Sequence, residues 1–145
     1  MPDEEIALIT RLFAQEIPEI ASGTVEIKAI ARRAGYRTKL VVQSHDPQVD
    51  AVGVCVGIRG CRIKRIIDQL DRERVDILRW DASPINLITN ALQPAALEEV
   101  ILHHGQHRAV VVVKEDQLSL AQGRGGMNRE LASRLSGWDI HIEVQ

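Results

Sequence analysis

The chain has 145 residues, 45% of them hydrophobic and 26% charged, with a formal net charge of −2. That is enough apolar material for one ordinary domain or two small ones, and it excludes a globally disordered chain. The near-neutral balance excludes a protein that coats a polyanion with its whole surface, but not one with a local basic patch.

Cys55 and Cys61 form no CxxC pair, so they build neither a disulfide framework nor a zinc knuckle. Cys55, in an apolar run, reads as a small buried hydrophobe. The acidic start MPDEEIALIT lacks the basic n-region of a signal peptide, and no apolar run approaches the ~18 residues of a membrane span. A cytoplasmic, membrane-free, monomeric protein is expected. The aromatic residues are only Phe13, Tyr36, Trp80 and Trp138. That is too few for an RNA-binding sheet that stacks bases on aromatic pairs.

Residues 3–17 read as a helix, capped by Asp3, with Ile6, Ile9, Phe13 and Ile17 at helical spacing and Pro18 ending it. Residues 24–30 alternate as a strand with Val25, Ile27 and Ala29 inward. A turn at Gly35 leads to a second strand over 36–44, making a hairpin. The apolar run 49–56 is too short to decide between helix and strand. Beyond Gly57-Ile58-Arg59-Gly60, Ile63, Ile66, Ile67 and Leu70 mark an amphipathic helix, followed by a strand over 75–80.

The pattern then restarts. Ser83 and Pro84 open a helix with Ile85, Ile88 and Leu92 on one face. Strands follow over 98–102 and 109–114, joined by HHGQHR, then a short helix over 116–122. Gly123-Arg124-Gly125-Gly126 precedes a helix carrying Leu131, Ala132 and Leu135. A last strand over 138–144 turns Trp138, Ile140, Ile142 and Val144 inward. Asp76 and Asp139 occupy matching places in the two closing strands and read as structural. The same order of elements thus occurs twice, an internal repeat of about 60 residues.

A Gly-x-x-Gly turn between two helices allows positive φ and close backbone approach, and the following helix offers unsatisfied N–H groups. Such sites hold phosphates, and in KH modules a GXXG loop clamps about four nucleotides by their backbone without aromatic stacking. In the first unit Arg59, Arg62, Lys64 and Arg65 gather on or just after the loop, with Arg62 and Arg65 expected on the solvent side of the helix. Other chemistry has little support. GRGG lacks the Lys-Ser/Thr of a phosphate-binding Walker loop. His103, His104 and His107 lie in a turn with no fixed partner, so no metal site is expected. Neither a nucleophile nor an acid–base pair presents itself, so neither an enzyme nor a cofactor is expected.

Taken together, EIPEI near the start, RTK in the second strand, VDAVGVCVGIRG, NALQPA and DQLSLA…GWDI resemble the tandem KH region of the NusA family of bacterial transcription factors. The resemblance runs from about Leu12 to the end. It implies an α+β chain of two tandem type II KH domains, at 24–81 and 82–145, after an N-terminal helix and linker over 1–23. It implies binding of single-stranded, nascent RNA and modulation of elongation, pausing, termination and antitermination. The implied partners are RNA polymerase and other antitermination factors. The RNA-binding residues would be Gly57, Ile58, Arg59, Gly60, Arg62, Ile63, Lys64 and Arg65 in the first unit. In the second they would be Gly123, Arg124, Gly125, Gly126, Asn128 and Arg129.

Full-length family members carry a polymerase-binding domain and an OB fold ahead of the KH pair. The chain is therefore expected to be a piece of a longer protein or a reduced relative. Two places depart from the family pattern. Gln122 and Arg129 stand where the first unit has the apolar Val56 and Ile63, so the first loop is expected to be the stronger RNA site. A KH protein of ribosome biogenesis or RNA turnover, and a docking module whose second half no longer binds RNA, are the alternatives.

Overall fold

The computed structural model describes residues 2–145, the side chains of residues 2 and 3 excepted, so the cap expected of Asp3 lies outside the described residues. The chain is α+β and divides into two compact units, Met1–Trp80 and Asp81–Gln145.

In the first unit, helix α1 (Pro2–Glu16) ends before Pro18, as its missing N–H requires. Pro18 then opens a short further helix, α2 (Pro18–Ala21). Strands β1 (Val25–Arg33) and β2 (Arg37–Ser44) pair antiparallel across the turn at Gly35. A bulge at Lys28 sets Ile27 opposite Val42 but Ala29 opposite Val41. The extra residue shifts the alternation by one, so Ile30, not the predicted Ala29, packs on the core face. The ambiguous run becomes helix α3 (Ala51–Val56), followed by α4 (Cys61–Gln69) and β3 (Arg74–Arg79). Strand β3 lies parallel to β2, giving the order β1-β2-β3. Ile9, Phe13, Ile17, Val25, Leu40, Val42, Cys55 and Ile66 form the core. Burial, with the Glu19 charge adding, pushes the Cys55 thiol up to about 12, which keeps it protonated and inert.

A polar node closes this unit at the far end of the hairpin. The Glu73 carboxylate, 3% exposed, accepts from Arg32 Nε and Nη2, both at 3.0 Å, and from the Gly35 N–H at 2.9 Å. The Thr38 hydroxyl also donates to it. Burial alone would raise the pKa of Glu73. The hydrogen bonds from Arg32, Thr38 and Gly35 outweigh it and hold the group below the ordinary carboxylate value. On β2, Lys39 is fully buried and its Nζ lies 3.1 Å from Asp76, which Arg37 Nε also approaches to 3.0 Å. Desolvation drives the Lys39 pKa down against the attraction of Asp76. Asp76 stands opposite Lys39, as Asp139 stands opposite Arg108 in the second sheet.

The second unit repeats the order. In α5 (Pro84–Ala91) the Ser83 hydroxyl caps the Asn86 N–H and Pro84 takes the first position. Ile88 and Leu92 are buried, but Ile85 stays 43% exposed at the first turn. Strands β4 (Glu99–His103) and β5 (Arg108–Val113) pair antiparallel, and β6 (Asp139–Val144) lies parallel to β5. Helices α6 (Leu118–Gln122) and α7 (Met127–Ser136) flank the second loop, and α7 ends on Gly137 in the left-handed region. Trp138 and Ile140 are buried as predicted, whereas Val144, at the strand end, is 44% exposed. The turn histidines do have a fixed partner: His107 stacks on Trp138 at 4.1 Å and His104 meets it edge-on at 5.5 Å.

Replacing Glu73 by Gln should destabilise the first unit by about 3 kcal/mol at neutral pH, because the buried Arg32 guanidinium loses the carboxylate charge of Glu73. Because the folded pKa of Glu73 lies below its ordinary 4.5, its contribution is complete above that value and is lost as the pH falls through the folded pKa. Urea melts of the two proteins should therefore differ most at pH 7 and converge as the solution is acidified.

Candidate nucleic-acid interface

Each unit carries one helix–loop–helix, and the two loops share one backbone. Gly57 has φ +80° and ψ 172°, and Gly123 has φ +72° and ψ 178°. A single 3-10 turn follows in each, Ile58–Gly60 and Arg124–Gly126, closed by Gly60 N–H to Gly57 O at 3.0 Å and Gly126 N–H to Gly123 O at 3.1 Å. The third residue is left-handed in both: Arg59 at φ +56° and Gly125 at +60°. The last glycine is left-handed too, at +72° and +76°, and the next helix starts at once. Gly125 is therefore the residue that meets the loop's backbone demand without strain, whereas Arg59 meets it at a cost of roughly 1 kcal/mol.

The first glycine of each loop is required by a close approach. A Cβ on Gly57 would stand 2.8 Å from Arg62 Cγ and 3.0 Å from its backbone nitrogen. A Cβ on Gly123 would stand 2.7 Å from Asn128 Cβ and 2.8 Å from its nitrogen. Arg62 and Asn128 hold the same place, five residues past that glycine, and do the same work. Arg62 Nη1 donates to Val54 O at 2.7 Å and to Glu19 Oε1 at 2.8 Å. Asn128 Nδ2 lies 3.3 Å from Leu120 O, 3.1 Å from Ala121 O and 3.2 Å from Leu92 O. Val54 and Leu120 both stand three residues before the loop glycine. In each unit one side chain on the second helix thus satisfies carbonyls at the end of the first, which a helix C-terminus leaves unpaired.

The other expected residues separate by exposure. Ile58, at the tip of the first loop, is 83% exposed. Arg59, Lys64 and Arg65 are exposed, with Arg65 Nη1 3.9 Å from Glu16. Arg62 is half-buried in its lock instead of facing solvent as expected, and Asn128 is fully buried. Ile63 is half-buried against the core. In the second unit Arg124 is exposed at the tip, and Gln122 and Arg129 are half-buried, with Arg129 Nη1 donating to Ile140 O at 3.4 Å. Leu131, Ala132 and Leu135 supply the buried face of α7. A polar pair at 122 and 129 thus sits at the loop flank without entering the core. Glu19 was missed in the sequence. Its signal was Arg62 and Asn128 at one place in the repeat, which marks a position that locks the loop.

The comparisons with known proteins agree with this architecture. The family model of the NusA-like first KH domain matches residues 3–80, and that of the NusA-like second KH domain matches residues 84–145. The chain belongs to the NusA-like tandem KH family. It is 45% identical over 138 residues to the transcription termination/antitermination protein NusA of Bacillus subtilis, covering 95% of this chain and 37% of that one. It is 50% identical over 136 residues to the protein of the same name from Thermus thermophilus, covering 94% of this chain and 35% of that one. The chain therefore spans little more than a third of these relatives. A solved structure, the crystal structure of APE1850, shares the fold with a TM-score of 0.61 at 20% identity, over 90% of this chain and 96% of that one.

Alanine at Gly57 or Gly123 should cost about 2–3 kcal/mol, since positive φ and a backbone clash add. Alanine at Gly125, where a Cβ meets nothing within 4 Å, should cost only about 1 kcal/mol. Arg59→Gly should leave stability unchanged or raise it by up to about 1 kcal/mol. Urea denaturation of the four variants checks the order.

Proposed function

We propose that the chain binds single-stranded RNA through the backbones of the Gly57–Gly60 and Gly123–Gly126 loops. In this reading it is the RNA-gripping portion of a factor that modulates transcription elongation, pausing, termination and antitermination. The observation that carries this is the matched pair of loops, each opening directly into a helix whose first N–H groups face outward along its axis. At the first loop Gly57, Gly60 and the helix start would hold phosphates, Arg59, Lys64 and Arg65 would add charge, and Ile58 with Ile63 would meet bases. Arg62 acts through the loop it holds in place. At the second, Gly123, Gly125 and Gly126 would serve the strand with Arg124. Asn128 takes the place of Arg62, and Arg129 lies at the flank.

Nascent RNA supplies such a strand, and RNA polymerase and other antitermination factors are the partners that fit this role. The chain would act in the cytoplasm as a non-enzymatic monomer. Among the described residues no helix is long and apolar enough to cross a membrane.

The test is a titration with a fluorescent single-stranded RNA of about 12 nucleotides at two salt concentrations. Wild type should bind, with log affinity falling by about 0.7 per phosphate contact for each log unit of salt. The double variant Ile58→Asp, Arg59→Asp should bind at least tenfold more weakly. Placing two aspartates between the glycines of each loop in turn should cost more at the first loop than at the second. Absence of RNA binding by folded wild type would overturn the reading.

A further inference from the structure

A second feature lies at the loop end of the first unit. Four residues join the end of α4 to the start of β3, which runs on from that junction to Arg79. There Arg79 and Trp80 border a depression of about 460 Å³, whose wall includes Val42, Gln48, Asp50 and Ala51. Helix α3 leads from that wall to Gly57 in six residues, about 9 Å. The depression and the loop are thus neighbours along one path.

Three facts give the depression a chemistry. Trp80 is half-buried, as is Tyr36 at the opposite end of the hairpin, whereas Phe13 and Trp138 are buried. Its backbone N–H is fixed to Val42 O at 2.9 Å, so the indole stands on the sheet and not on a mobile loop. The Arg79 guanidinium is held at the same rim by the Asp50 carboxylate, with both side chains more than half exposed, and Lys28 Nζ lies 5.4 Å from the indole centroid. Lys28 lies over one face of the ring and Arg79 stands at the rim. Such a ring matches a nucleobase, which would stack on the face turned from Lys28 and whose acceptor edge takes a guanidinium fork. Asp50 is engaged with Arg79, so it orients the fork instead of competing for the base.

We propose that this depression is a base-reading subsite. One base of an RNA strand gripped at the first loop stacks on Trp80, and Arg79 donates to its acceptor edge, favouring guanine with its paired O6 and N7. The proposal rests on the RNA reading above. It divides the work: the loop holds phosphates without regard to sequence, and the Trp80 depression supplies preference.

The experiment uses the full chain with two fluorescent 12-nucleotide RNAs, one of uridine only and one carrying guanines. Trp80→Leu should weaken the guanine-containing RNA about tenfold while leaving the salt slope unchanged, because no phosphate contact is lost. Trp80→Phe, which keeps a ring, should stay within about threefold of wild type. Arg79→Gln, at an exposed rim, should reduce the preference for guanine. If both Trp80→Leu and Arg79→Gln bind the two RNAs as wild type does, while the Ile58→Asp, Arg59→Asp variant fails, the subsite is wrong and the loop reading stands. If folded wild type binds neither RNA, both readings fall.

Discussion

The geometry of both loops depends on one contact, the side chain at position 62 or 128 folded back over a glycine and onto the carbonyls of the preceding helix. Each of the short helices α3 and α6 holds too few residues to be stable alone. Their ends are fixed because a donor from the next helix satisfies them. That donor must cross the loop at its first residue, and it comes within 3 Å of where a Cβ would sit. Glycine there is thus a consequence of the lock as much as of any ligand. With this residue seated, the rest of the loop follows as one 3-10 turn and two left-handed residues.

The two units solve the same problem with different chemistry. Arg62 is a charged donor, and its charge is balanced by Glu19, which reaches it from α2. Asn128 is neutral and fully buried, so it needs only carbonyls, and it finds three. An arginine at 128 would carry a charge into the core with no carboxylate waiting, at a cost of several kcal/mol. An asparagine at 62 would leave Glu19 without its cation. Each residue fits only with its own surroundings, which is why the repeat is clear in backbone and weak in sequence.

Much of this was legible from residue order. Helical and alternating periodicity located both hairpins and the helix after each loop, while the helix before the first loop, in the run 49–56, was not decidable from periodicity; Ser83-Pro84 marked the helix start that the structure bears out. What was not legible depends on contacts far apart in the chain. The bulge at Lys28 reversed the facing of Ala29 and Ile30, since a single extra residue leaves no mark on an apolar-rich strand. The Glu73 node joins residues 35 to 41 positions apart, and nothing in the local composition around Glu73 distinguishes it from the solvated acids nearby. The turn histidines read as loose because their partner, Trp138, lies some thirty residues on. Arg62 read as solvated because helical spacing gives direction, not reach: a long side chain on the outer face curled back to the loop.

Strain separates the two loops where charge alone does not. At the third loop position the backbone asks for a left-handed residue. The second loop supplies glycine; the first keeps arginine and bears the cost. A surface arginine with no structural task would gain stability by replacement with glycine at this position. Arg59 stands next to the exposed Ile58, with Lys64 and Arg65 on the helix behind, so the strained residue sets a cation at the tip of the loop. The second loop is relaxed at Gly125 and flanked by the half-buried Gln122 and Arg129. The asymmetry in backbone strain and the asymmetry in flanking polarity coincide: the strained loop is flanked by Val56 and Ile63, the relaxed one by Gln122 and Arg129.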